Sequence, residues 1–215
     1  MVRKPGFYLR RLEKQSMPDD LRIAIRRLHR SLDSKKTLAF NNLIRVLTAP
    51  HEVSPQTTTE EANRSLVLLS HIAPYLEHEK PAVRSKACTA ICVGRIKPNS
   101  AAANRLAILL AEAKDAVAEH ETLIASRGAA SSKEQQKIIL EREFLREGMA
   151  ALTRLGPHSD QTLLLLGEGV SDDNREISDA AEKALLYILR HSEPPKEVLK
   201  QVHAILRKAT ERRLK

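Results

Sequence analysis

The chain has 215 residues, a formal net charge of +9 from 36 Lys and Arg against 27 Asp and Glu, and 42% hydrophobic but only 3% aromatic content. That share of apolar residues supplies a core, which must be aliphatic with three Phe, three Tyr and no Trp. No run approaches the ~20 apolar residues of a membrane span, and the N-terminal MVRKPGFYLRRLEK lacks the apolar stretch of a secretory signal. With Cys88 and Cys92 as the only cysteines, this predicts a cytoplasmic protein in a reducing compartment.

Leu, Ala, Glu, Arg and Lys dominate, strand formers are sparse and nothing alternates like a strand, so every element is expected to be helical. A first helix is predicted around Tyr8 to Lys14. A second opens at Pro18 and Asp19, with Leu21, Ala24, Ile25, Leu28 and Leu32 on one face, and a third follows Ser34 with Leu38, Leu43, Ile44 and Leu47 inward. Pro50 and Pro55 mark residues 49–57 as a loop, which closes a basic N-terminal unit over residues 1–48.

Thr58 with Glu61 has the spacing of a capping box ahead of Leu66, Leu69, Ile72 and Leu76, and Pro74 should kink that helix or end it early. Pro81 suits the first turn of the next, so residues 58–96 form one helical hairpin. Residues 100–156 then hold two long helices, the second capped by Ser132 and Gln135, joined by the small linker 127–131 and polar enough at their far ends to extend as an arm. Gly156 and Pro157 end it. A short helix at Leu163 to Leu166 leads through Gly167, Gly169 and the acidic turn 171–174 into another helix, making a hairpin over 160–191, and Pro194 and Pro195 start a basic C-terminal helix over 195–215 with Val198, Val202, Ile205, Leu206 and Ala209 inward.

Three of these helices share one spacing: Val83, Ala87, Ala90, Ile91, Gly94; Phe144, Gly148, Ala151, Leu152, Leu155; and Ile177, Ala181, Ala184, Leu185, Ile188. Small residues at offsets four and seven from a large one notch the helix face for close approach by neighbours, and such faces need other helices stacked on them. The segment Pro81-Ala-Val-Arg-Ser-Lys-Ala-Cys-Thr-Ala-Ile-Cys-Val-Gly-Arg-Ile96 resembles the inner helix of a HEAT-type repeat, with its Val-Arg, recurring Ala and late Gly. Ser171 to Leu189 is similar, with Asp172 and Asp173 at the turn but Ser178 where that family carries Arg; the Phe144 unit lacks both features. The resemblance, covering about half the chain, implies a single all-α domain of stacked antiparallel helical hairpins, a HEAT-like α-solenoid. The starting residues of the three patterns have no fixed period, which leaves an irregular helical bundle as the other arrangement.

Stacks of helical hairpins usually serve as binding surfaces, and no catalytic motif stands in this chain. The expected function is a non-enzymatic adaptor or scaffold for a protein partner, without a cofactor, whose groove is lined by Arg84, Lys86, Arg95, Arg146, Asp179 and Lys183. Charge offers an alternative. Residues 1–46 carry twelve Lys or Arg against four acids and residues 196–215 seven against two, so an acidic partner is drawn to the ends. On the second helix Arg22, Arg26, Arg27 and Arg30 could follow nucleic-acid phosphates, or form an ordinary solvated face.

His71 and His78 share a helical face, as do Cys88 and Cys92, and neighbouring helices could bring one of each together. The two histidines lie two turns apart, about 10 Å, too far to share one tetrahedral ion, so no metal site is expected and the cysteines read as small core residues.

Overall fold

The computed structural model describes residues 17–49, 58–156, 160–191 and 196–213. The helix expected at Tyr8 to Lys14 and most of the 49–57 loop lie outside them, as do Pro157, Pro194 and Pro195. Among the described residues the secondary structure is wholly helical, with nine α-helices and two short 3-10 turns.

Helix α1, Asp19–Arg30, starts after Pro18 and carries Asp19 and Asp20 in its first turn and Arg27, His29 and Arg30 in its last, charges that oppose the helix macrodipole at both ends. Leu21, Ala24, Ile25 and Leu28 are buried as expected. Leu32 is 70% exposed instead, because α1 stops at Arg30 and the helical spacing that would have carried Leu32 inward stops with it. Helix α2, Lys36–Thr48, buries Ala39, Phe40 and Leu43, whereas Leu38, two residues and about 200° away from Phe40, is 63% exposed. The expectation that Leu38 faces the core is corrected by Phe40, which takes that place fully buried.

Helix α3, Thr58–Ile72, buries Val67, Leu68, Leu69 and Ile72 and leaves Leu66 half-exposed, against expectation. The Thr58 side chain lies outside the described residues, and with it the capping box expected with Glu61. Pro74 ends the helix in a 3-10 turn, Ala73–Glu77. Helix α4, Pro81–Val93, has Pro81 in its first turn.

Helices α5, Ser100–Arg127, and α6, Ser132–Leu155, form the long hairpin. Asn99 caps α5 by accepting from the Ala102 amide at 2.9 Å, and Gly128, at φ 76°, ends it in the left-handed conformation. The capping box of α6 is Ser131 with Glu134, one residue earlier than the Ser132 and Gln135 expected. Bonds donated by the Ser131 amide and hydroxyl hold the Glu134 carboxyl below the usual carboxylate range. From Ala118 to Lys137 no residue is buried, so the far end of this hairpin is more exposed than its base, although Ile124 still packs against the core.

Helix α7, Asp160–Val170, is longer than the four residues expected and runs through Gly167 and Gly169. Neither glycine serves as a breaker. A Cβ at Gly167 would lie 2.5 Å from Ile205 Cδ1 and one at Gly169 2.8 Å from Met149 Cε, so both mark sites of close helix contact. Asn174 accepts from the Glu176 and Ile177 amides to cap α8, Arg175–His191, and α9 is Lys196–Arg213, with Val202 buried and Ile205 and Leu206 partly so; the side chains of Val198 and Ala209 lie outside the described residues.

Packing follows a simple order. Helix α4 lies between α2 and α6, and α6 between α4 and α8, so the even-numbered helices form one continuous row. The odd-numbered helices cover it: α1 on α2, α3 on α4, α5 on α6 and α7 on α8, with α9 against α7. The notched faces meet inside this arrangement. Val83, Ala87, Ala90 and Ile91, Phe144, Ala151, Leu152 and Leu155, and Ile177, Ala181, Ala184, Leu185 and Ile188 are all at most 2% exposed. No helix among the described residues is long and apolar enough to cross a membrane.

Candidate functional site

The row α2, α4, α6 and α8 brings most of the expected groove residues into one band, and the contacts between them decide which are open to a ligand. Arg84 is not. Its Nη2 donates to both carboxylate oxygens of Glu141 at 2.7 Å, and its guanidinium lies 4.5 Å over the Phe144 ring, with both charged side chains largely buried. It clasps α4 to α6. Glu143 and Glu147, one turn apart on α6, accept from the hydroxyls of Ser85 and Thr89, one turn apart on α4, at 3.2 and 3.1 Å, which sets the register of the two helices. Lys86 adds a 3.8 Å ion pair to Glu143.

Further along, Arg146 donates to Glu147 on its own helix and to Glu176 on α8 at 2.8 Å, and Asp179 pairs with Arg175 at 3.8 Å. Lys183 is exposed and has no ion-pair partner among the described residues. Arg95 stands apart, exposed beyond the end of α4 at φ 50°. Sequence reasoning missed Glu143, Glu147 and Glu176, although the four-residue spacing of the first two matched that of Ser85 and Thr89.

Two cavities open beside this band. One, of about 540 Å³, lies between α6 and α8, with Ala150, Ala180 and Ala184 along its lining, Arg146, Glu147, Glu176, Asp179 and Lys183 as its charged groups, and Tyr187, 41% exposed, at one side. Alanines where α6 and α8 face each other leave this space, and Tyr187 is a further residue that sequence reasoning did not select. The other, of about 530 Å³, lies among α5, α6, α7, the start of α8 and α9, where Leu164, Ile177 and Ile205 are bordered by the ion pairs Lys114–Glu168 and Glu121–Arg142. Neither lining includes a histidine or cysteine, so what both offer is apolar contact and ion pairing.

The arginines of α1 divide. Arg22 is half-buried and paired with Asp19, whereas Arg26, Arg27 and Arg30 are exposed and have no ion-pair partner among the described residues.

The histidines and cysteines do not come together. Cys88 is buried in α4 as a free thiol, and desolvation pushes it well above its usual range; Cys92, partly buried, is pushed up to about 12 by desolvation and then by the Glu147 charge. His71 instead meets His29 of α1, Nδ1 to Nε2 at 3.0 Å, and His29 Nδ1 meets the Tyr75 hydroxyl at 3.0 Å. Lys36 lies beneath, 7% exposed, donating to the Leu28 carbonyl at 2.9 Å and the Tyr75 oxygen at 3.4 Å. His78 lies 3.6 Å from Asp33. These polar groups tie α1, α2 and α3 together, and among the described residues no group of three or more His, Cys, Asp or Glu is placed to hold a metal ion.

Compared with family models, curated proteins and solved structures, the chain matches none.

Proposed function

We propose that the protein is a cytoplasmic, non-enzymatic adaptor of the HEAT-like α-solenoid type, which captures a protein partner in the cleft between α6 and α8. The stacking reading is supported by the row α2, α4, α6, α8, since second helices of successive hairpins become neighbours in a solenoid. The observation that carries the function is the cleft itself. Ala150 and Ala180, both partly exposed, leave room that a partner side chain can fill, Lys183 supplies a charge, and Tyr187 an aromatic contact of the kind enriched at interface anchors. Arg84 and Lys86 act in this reading as internal fastenings that hold the cleft walls, and the partner meets Arg146, Asp179 and Lys183.

A photoreactive residue substituted for Tyr187 should capture one discrete protein in extracts of the source cell. The charge swap Asp179→Lys with Lys183→Glu should reduce that capture at least about tenfold, the equivalent of ~1.4 kcal/mol. The same probe at Ile139, exposed on the arm, should not capture it. Equal capture from both positions, or no capture at position 187, would remove the cleft as the docking site.

A further inference from the structure

The outer face of α1 gathers several exposed basic side chains outside the ion-pair network that joins the even-numbered helices. Along the even-numbered row the basic side chains Arg84, Lys86 and Arg146 are answered by glutamates. On α1, Arg30 lies four residues after Arg26 and three after Arg27, so the three share an arc of about 100° on one side of the helix, exposed and without an ion-pair partner among the described residues. The opposite side of the same helix, Leu21, Ala24, Ile25 and Leu28, is wholly in the core. None of the three arginine side chains bonds the Leu28 carbonyl near the helix end, which accepts from Lys36 Nζ and Ser31 Oγ at 2.9 and 2.8 Å. Three exposed guanidinium groups on one side of one helix make a strongly cationic surface.

We infer that this face binds the phosphate backbone of double-stranded nucleic acid. Several features select that occupant. Guanidinium forks suit phosphate oxygens, and a helix-fixed array loses little freedom on contact. Single strands are ordinarily held by aromatic platforms, and the exposed aromatic ring among the large hydrophobic side chains of the described residues is Tyr187, on α8. A membrane surface would need an apolar stripe to insert, and the stripe of α1 is already buried in the core. A protein interface would need an apolar centre, whereas along α1 itself the exposed large apolar side chain is Ile23, with Leu32 just past its end. Binding of this kind reads backbone charge, not base sequence. It is independent of the cleft between α6 and α8, so the two readings stand or fall separately.

The test uses the full chain and a labelled 20-base-pair duplex, followed by fluorescence anisotropy from about 50 to 200 mM salt. The wild-type affinity should fall steeply with salt. Replacing Arg26, Arg27 and Arg30 together by Gln should flatten the slope of log K against log salt by about 2.7, some 0.9 for each lost phosphate contact, with at least tenfold weaker binding at low salt. The three side chains are exposed, so the helical circular-dichroism spectrum should be kept, with only the small loss in melting temperature expected from removing Arg27 and Arg30 from the last turn of α1. A control of equal charge, Lys133→Gln with Lys137→Gln and Arg154→Gln, should leave the slope unaltered. Absence of duplex binding, an equal loss in the control, or retained duplex binding in the α1 variant together with lost binding to vesicles of anionic phospholipid would overturn the proposal.

Discussion

Arg84 shows how a residue can look like a ligand-binding group in sequence and serve as a fastener in the fold. Its charge, and its place in a Val-Arg dipeptide on an amphipathic helix, marked it as part of a polar groove. Glu141, 57 residues away, turns it inward, and the ring of Phe144 covers the guanidinium. Removing one partner of a largely buried ion pair strands the other charge, so Arg84→Ala should lower stability by about 3 kcal/mol in urea unfolding, and Glu141→Gln should also destabilise. An Arg84→Met, Glu141→Leu double variant should recover most of the loss. Lys36 teaches the same lesson: its ammonium reaches the carbonyl at the end of α1 across a turn, and nothing local to Lys36 in sequence announces it.

Glycines at the scale of whole helices carry information that turn-based reading misassigned. Gly167 and Gly169 read as exits from a short helix, yet α7 continues through both because Ile205 and Met149 press on the space where a Cβ would be. Gly167→Ala should therefore act on α9. The added methyl would displace Ile205, and hydrogen exchange should accelerate in Lys196–Arg213 while the α4–α6 pair stays protected. Gly148, by contrast, was legible as a notch from its offset to Phe144, and its absent Cβ is the space filled by Leu110. Core faces were readable wherever several apolar residues repeated at helical spacing, as in α1, α4, α6 and α8. They were misread for Leu32, Leu38 and Leu66, where a helix end or a one-position rotation exchanged a leucine for a neighbour.

Across the whole molecule, the far end of the α5–α6 hairpin is the least buried part, joined to the rest mainly through Ile124 and the Glu121–Arg142 pair. None of its residues from Ala118 to Lys137 is buried, and its ion pairs Arg127–Glu134 and Glu121–Arg142 lie at the surface, where such pairs contribute little. Replacing Ala118 to Lys137 by a short Gly-Asn-rich turn joining Val117 to Ile138 should leave a folded protein, with a melting temperature within about 4 °C of the full chain by calorimetry. Loss of cooperative melting would mean that the arm is part of the core's folding unit.

By itself the amino-acid sequence determined the all-helical class, the position of nearly every described helix, and the three notched faces, because helical periodicity and capping are local and act within a few residues of chain. It also marked the arginines of α1. Which charges face outward was decided only by the tertiary structure. Ion pairing depends on which helices become neighbours, and a glutamate 57 residues from an arginine leaves no local trace. The same holds for the two cavities and for the ring of polar groups around Tyr75, which exist only once separate helices are packed together.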